Sequence, residues 1–296
     1  MPESRRRYPY VQLDVFTDRA LEGNQLAVFT DARGLSSEEM QALARETNLS
    51  ETTFILPREP EVERERGVHV RIFTVAEELE FAGHPTLGTA YYLHRLSGSE
   101  LIELELKVGK IPVRFTNPDG RTIGEMRQRD PEFGQVHAVD DVAAALGMPR
   151  EMFDESLPIQ TVSTGMAFVI TPLRSLAAIR NLNFNWAKAA AYLAKTDGKF
   201  FYLVTRETES PDARLHARMI FYNGEDPATG SAAGCCTGWA VKHGVVGSDE
   251  LAVIEQGIEM KRPSYIRIRA TKSGDRVDNV RVGGCVVEVM RGELLL

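Results

Sequence analysis

Residues 81–90 read Phe81-Ala-Gly-His-Pro-Thr-Leu-Gly-Thr-Ala90, and the chain returns to nearly the same words at Gly224-Glu-Asp-Pro-Ala-Thr-Gly-Ser-Ala-Ala233. Residues 84–90 and 226–232 share one pattern: His or Asp, then Pro, two variable residues, Gly, Thr or Ser, and Ala, 142 residues apart. Each follows a β-like run and opens a stretch that can be helical, and a proline suits the first helical position because no N–H is needed there. His84 and Asp226 are therefore expected at or beside two helix caps. Gly83, Gly88, Gly224 and Gly230 keep the backbone open, so free N–H groups and the helix dipole favour a carboxylate or an enolate-like anion. The expectation is two helix N-termini facing each other across a cleft, with the chemistry between them.

Outward from that stretch the repeat continues. At the same offset Gly23-x-x-Leu26-Ala27-Val28 falls on Gly165-x-x-Phe168-Val169-Ile170; after a five-residue insertion Phe54-Ile-Leu56 falls on Phe201-Tyr-Leu203, and Arg71-Ile on Arg218-Met. Their common order predicts two similar lobes. In the first half, Tyr8 to Phe16 alternates as a strand, and Ser36-Ser-Glu-Glu39 has capping-box spacing for a helix running to about Asn48. A strand follows in Asn48 to Leu56, Glu59 to Arg66 reads as a solvated hairpin tip, and Val68 to Thr74 and Leu101 to Leu106 read as strands. Asn117-Pro-Asp-Gly120 is a turn, and the lobe boundary is placed there: 1–117 with 285–296 returning, then 118–284. The second half predicts helices over Val139 to Leu146 and Trp186 to Leu193, strands over Phe200 to Thr205 and Arg214 to Tyr222, a helix from Gly230 to Ala240, and strands to the end.

Three side chains stand out for chemistry. Asp226 reads equally as an ordinary N-cap, at which Asp is among the favoured residues. His84 is not a favoured cap and sits among small residues; its plain alternative is a histidine bonded to nearby backbone. Glu51 lies at a strand entry between Ser50 and Thr52-Thr53, and its counterpart in the repeat is Gly198, so a base-capable group exists on one side only. Partial burial there would raise its pKa toward the range useful for proton transfer; otherwise it is a surface carboxylate. Ser231 is a nucleophile with no base marked beside it, which keeps hydrolysis or lyase chemistry through Ser231 and His84 open as an alternative. A non-catalytic small-molecule binder is the other.

Composition narrows the classes. The chain has 296 residues, 43% hydrophobic and 26% charged, enough to bury sizeable cores. A net charge of −7 argues against a nucleic-acid partner. No apolar run approaches a membrane span and no secretory signal is read, so neither a membrane nor a secreted context is expected. Three cysteines (235, 236, 285) make no disulfide framework or zinc spacing, which points to a reducing cytoplasm. The six histidines show no metal-ligand spacing, and no metal is expected.

Leu21-Glu-Gly-Asn24, Asn48-Leu-Ser-Glu-Thr-Thr-Phe54, Arg71-Ile-Phe-Thr74, Phe81 to Gly88, Gly224 to Ala233, Glu255-Gln-Gly257 and Arg262-Pro-Ser264 together resemble the phenazine-biosynthesis PhzF-like family. The resemblance implies an α+β, diaminopimelate-epimerase-like fold: two pseudo-symmetric lobes, each a mostly antiparallel sheet wrapped around a central helix. It implies a cofactor-independent isomerase that moves a proton between carbons of a small carboxylate-bearing substrate, often as a homodimer. Carried over residue by residue, the catalytic glutamate is Glu51, with His84 and Asp226 as further acid–base groups. Asn24, Gly83, Gly230 and Ser231 become substrate-binding positions. Epimerases of this fold use two cysteines in these loops, and neither loop has one here, so two-thiol racemisation is not expected. The chain has Gln25 and Val75 where the family usually has proline, which touches turns and not the acid–base set.

Overall fold

The structure, a computed structural model, describes residues 5–221 and 224–296. Packing divides the chain into two units, Met1–Met126 with Gly284–Leu296, and Arg127–Gly283.

In the first unit, β1 (Arg7–Val15) and β2 (Asn24–Phe29) form an antiparallel pair, Leu13 opposite Leu26. Helix α1 (Ser37–Thr47) starts at Ser36 with both halves of the predicted capping box, and ends at Asn48 in the left-handed region. It leads into β3 (Glu51–Ile55), parallel to β2 with Leu26 beside Glu51. Residues 60–66 are α2 (Pro60–Arg66), not the expected hairpin tip. Pro60 begins that helix, acidic side chains occupy its first turn and Arg64 and Arg66 its last, the charge order that a helix dipole favours. Then come β4 (Val68–Phe73) and β5 (Glu78–Leu79), an antiparallel pair, and α3 (Gly83–Ser97). The meander β6 (Leu101–Leu106), β7 (Gly109–Thr116), β8 (Ile123–Arg127) follows, with the Asn117–Gly120 turn between its last two strands.

Alternation on β1 and β2 gives the sheet two apolar faces. Tyr8, Phe29, Phe54 and Phe73 pack with Met40 and Leu43 of α1 on one side, Phe29 stacked on Phe54 at 4.9 Å. The other side holds α3, which packs against β1, β2, β3, β6 and β7 and is buried continuously from Gly83 to Tyr91. A helix buried all round must be small-sided: a Cβ on Gly88 would lie 2.6 Å from Leu26 Cδ2 and 3.0 Å from Val15 Cγ2. Its threonines are satisfied locally, Thr86 by the Ala82 carbonyl and Thr89 by the Thr53 hydroxyl on β3 at 2.9 Å.

The second unit repeats this plan. β9 (Glu132–His137), α4 (Val139–Leu146), β10 (Ile159–Ser163) and β11 (Ala167–Pro172) lead through α5 (Leu176–Arg180) and α6 (Trp186–Leu193) to β12 (Phe200–Thr205). β13 (Leu215–Phe221) and β14 (Gly224–Asp226) pair before α7 (Gly230–Lys242); β15 (Ala252–Gln256), β16 (Ser264–Ser273) and β17 (Arg276–Gly284) close the sheet. Tyr222 of the expected strand lies outside the described residues. The described pairings among these strands are antiparallel except β11–β12 and β13–β15, which are parallel. Helix α7 is buried along almost its whole length against β10, β11 and β16, while α4, α5 and α6 cover the other face. Finally β18 (Val286–Leu295) returns to pair with β1 in the first unit.

Candidate active site

The first unit brings three of the expected residues together. Asn24 opens β2 after Gly23, which has no room for a side chain: its φ is +70°, and a Cβ there would lie 2.5 Å from the Val15 carbonyl oxygen. Glu51 opens β3, and His84 is the second residue of α3. Asn24 is 1% and His84 5% exposed. The Asn24 amide nitrogen lies 3.4 Å from His84 Nδ1, and the Gln25 backbone bonds the same ring. His84 Nε2 is buried without a hydrogen-bond partner and faces Glu51 Oε2 at 3.6 Å. Burial drives the imidazole down to about 3, with the Gln25 bond pulling weakly the other way, so His84 is neutral at pH 7. The Glu51 contact is therefore no ion pair, despite its length. Glu51 keeps 18% of its side chain exposed and can meet a ligand.

The second unit holds Asp226, Gly230 and Ser231. Gly230 and Ser231 are the first two residues of α7, but Asp226 ends β14 and is not a cap. The N-cap is Thr229, and its hydroxyl donates to Asp226 Oδ2 at 2.5 Å instead of accepting from the helix. Helix α3 likewise starts at Ala82 with no side-chain cap. Neither helix start is thus capped by the side chain of its own N-cap residue, the arrangement that suits an anion.

The family model described as phenazine biosynthesis-like protein (PhzC-PhzF) matches residues 13–292. The chain belongs to the PhzF family. It is 38% identical to an uncharacterized isomerase of Mesorhizobium japonicum, over 97% of this chain and 98% of that one. It is 34% identical to the trans-2,3-dihydro-3-hydroxyanthranilate isomerase of Pseudomonas aeruginosa, over 93% and 95%. A solved PhzF-family protein of Bacillus anthracis superposes with a TM-score of 0.88 at 26% identity, covering 98% of this chain and 100% of the other. The fold, though only the fold, extends to a hydroxyproline epimerase of Agrobacterium vitis at a TM-score of 0.62 and 11% identity, over 98% and 93%. It is the α+β, diaminopimelate-epimerase-like class, and this PhzF chain is an isomerase by family.

The repeat that aligned His84 with Asp226 is not the structural one. Gly83 and Gly230, which start the two helices, are 147 residues apart, as are Arg71 and Arg218, and Glu78 and Glu225. His84 therefore corresponds to Ser231, and Asp226 to Leu79, since Ile72 pairs with Leu79 as Met219 pairs with Asp226. Pro85 sits inside the first turn and Pro227 ahead of the helix.

Several supporting residues carry no chemical signature of their own. Gln256, on β15, is fully buried and bonds Asp226, Thr229 and Tyr202. His216 lies between Glu255 Oε1 at 2.8 Å and Glu259 Oε1 at 3.0 Å. The only sequence signal for Gln256 is its place in the Glu255-Gln-Gly257 motif. Cys235 and Cys236 are buried in α7, and burial pushes both thiols up, Cys235 to about 11, which makes them inert. Among the described residues no group of three His, Cys, Asp or Glu side chains is arranged to hold a metal ion, and no helix is long and apolar enough to cross a membrane.

Proposed function

We propose that this chain moves a proton between carbons of a small carboxylate-bearing substrate, with Glu51 as the base and no cofactor. The observation that carries the proposal is the 3.6 Å approach of Glu51 Oε2 to a buried, neutral His84 Nε2 that bonds nothing else. The gap exceeds an ordinary hydrogen bond, as catalytic contacts often do before a ligand draws them together. Glu51 carboxylate takes a proton from a substrate carbon, and the C–H electron pair moves into an adjacent unsaturation. The resulting carboxylic acid returns the proton to a second carbon, so composition is unchanged. His84 orients Glu51 and stays uncharged; at about 3 its conjugate acid is too scarce at pH 7 to serve as the donor.

Asn24 holds the His84 ring, and Gly83 offers backbone N–H to negative charge on the substrate. In the second unit we assign Asp226 to proton relay and Gly230 and Ser231 to anion binding through the start of α7. The named Pseudomonas relative makes trans-2,3-dihydro-3-hydroxyanthranilate the first substrate to try, ahead of other small cyclic and α-substituted acids. The protein is further proposed to act as a cytoplasmic homodimer.

The test is turnover in D₂O. Glu51→Gln should lose solvent-deuterium incorporation by about 10²–10⁴-fold, the usual worth of a general base. Incorporation by Glu51→Gln at the wild-type rate rules out the assignment.

A further inference from the structure

We infer that Gln256 is a positioning residue that aims the Thr229 hydroxyl at Asp226, an inference that rests on the relay role given to Asp226 above. Gln256 has no exposed surface. Four bonds converge on its amide. Nε2 donates to the Asp226 carbonyl at 2.7 Å and to Thr229 Oγ1 at 3.1 Å; Oε1 accepts from Tyr202 Oη at 2.9 Å and from the Thr229 N–H at 3.3 Å. Two of these partners remove the usual ambiguity of an amide. A backbone N–H can only donate and a carbonyl can only accept, so the nitrogen and oxygen of Gln256 cannot be exchanged.

The consequence falls on Thr229. Its oxygen accepts from Gln256, so its single hydrogen goes to Asp226 Oδ2, 2.5 Å away. An N-cap threonine ordinarily accepts from the second or third N–H of its helix. Here the hydroxyl is withdrawn from that duty, and α7 begins with no side-chain cap. Gln256 thus does two things at once: it supplies Asp226 with a fixed donor and keeps the Thr229 hydroxyl off the first turn of α7.

The surroundings make this arrangement rigid. Gly257, at φ +77°, presses on the same loop: a Cβ there would lie 2.5 Å from both Pro227 O and Arg262 O. On its other side Gln256 adjoins Glu255, which is buried and bonded to His216 and to the Glu209 and Ser210 N–H groups. Tyr202 is fully buried and remains a phenol, a donor to Oε1.

The experiment compares full-length wild type with Gln256→Glu, which keeps the two acceptor contacts and loses both donors, and with Thr229→Val, Thr229→Ser, Asp226→Asn and the Gln256→Glu/Asp226→Asn double. Two readouts are taken: kcat and KM on trans-2,3-dihydro-3-hydroxyanthranilate, and the ¹³C resonance of the Asp226 carboxyl carbon at pH 7 in aspartate-labelled protein. Gln256→Glu and Thr229→Val should each lower kcat about 10- to 100-fold, the range for residues that orient a functional group, with KM moving less than about threefold. Thr229→Ser should stay near wild type, and Gln256→Glu should add nothing to Asp226→Asn. The carboxyl resonance should move in Thr229→Val and Gln256→Glu and hold in Thr229→Ser. If Gln256→Glu fails to fold, Thr229→Val carries both readouts; if wild type does not turn this compound over, the resonance decides. An unmoved resonance in folded Thr229→Val overturns the inference. If Asp226→Asn is slow and Gln256→Glu slows it further by its full factor, the inference falls and the reading of Asp226 stands. Wild-type turnover by Asp226→Asn removes that reading and the positioning role with it.

Discussion

At the scale of single residues, the neutral state of His84 is what separates this pair from an ordinary carboxylate–imidazolium couple. A histidine that is 5% exposed loses its hydration, and Glu51 at 3.6 Å does not restore it. The folded protein therefore holds His84 at about 3 against 6.5 for the free side chain. Between those values the unfolded chain binds the proton and the folded chain does not, so stability falls as pH drops from 6.5 toward 3. A gap of that size corresponds to about 5 kcal/mol at the acid limit, as an order of magnitude. His137 and His243 are lowered by burial as well and add to the same slope. Replacing His84 with Gln should flatten the acid limb without abolishing it. Urea midpoints of the two proteins at about pH 6.5, 5 and 4 check this: parallel curves would mean that His84 is protonated in the folded state.

At the scale of elements, the two units share a device ahead of each central helix. Arg71 reaches from β4 to Glu78 with bonds of 2.8 and 2.7 Å, and Arg218 reaches from β13 to Glu225 with bonds of the same lengths. Each guanidinium also ties its hairpin to an outer helix, Arg71 through Ser37 and Arg218 through the Ile179 carbonyl. A bidentate pair at 12% and 16% exposure is more than a surface ornament. Removing Arg218 alone leaves Glu225 without its bidentate partner and a helix-end carbonyl unmet. Arg218→Met should cost about 2–4 kcal/mol in chemical denaturation, whereas Arg218→Lys should recover part of it; no loss in the Met variant would make the pair decorative. The sequence announced this device only as a repeated arginine. Capping boxes, apolar alternation and small-residue helices were legible because they are local and periodic, and Glu51 and His84 were singled out through their motifs. The alignment of His84 with Asp226 was misread, because a residue in the first turn and one ahead of the helix are alike in owing no helical N–H bond, so Pro85 inside α3 and Pro227 before α7 satisfy the same rule. Gln256 was illegible for another reason. Its partners on β12 and in the 226–229 loop are distant in sequence, and a buried amide has no signature until the strands are paired.

At the scale of the whole molecule, the two units differ in their histidines: burial lowers those shifted in the first and also His137 and His243 in the second, but the second adds one that is raised. In the first, His69 and His84 are both lowered by burial, and neither contributes stability that alkali removes. In the second, burial would also lower His216, but bonds from Glu255 and Glu259 outweigh it and hold the ring at about 9. A raised pKa stabilises the folded state fully below 6.5, and that contribution is lost as pH climbs from 6.5 through 9. The shift corresponds to about 3 kcal/mol, as an order of magnitude, all of it in residues 127–283. A chain of two compact units need not unfold in one step. Between pH 6.5 and 9, hydrogen exchange corrected for the intrinsic pH effect should therefore quicken in β13 and β15 while α3 and β2 hold. His216→Gln should be less stable at about pH 6.5, because it takes the imidazolium from the buried Glu255 and the half-buried Glu259, and should lose most of the alkaline slope. If the slope persists undiminished in that variant, the imidazolium between Glu255 and Glu259 is not its source.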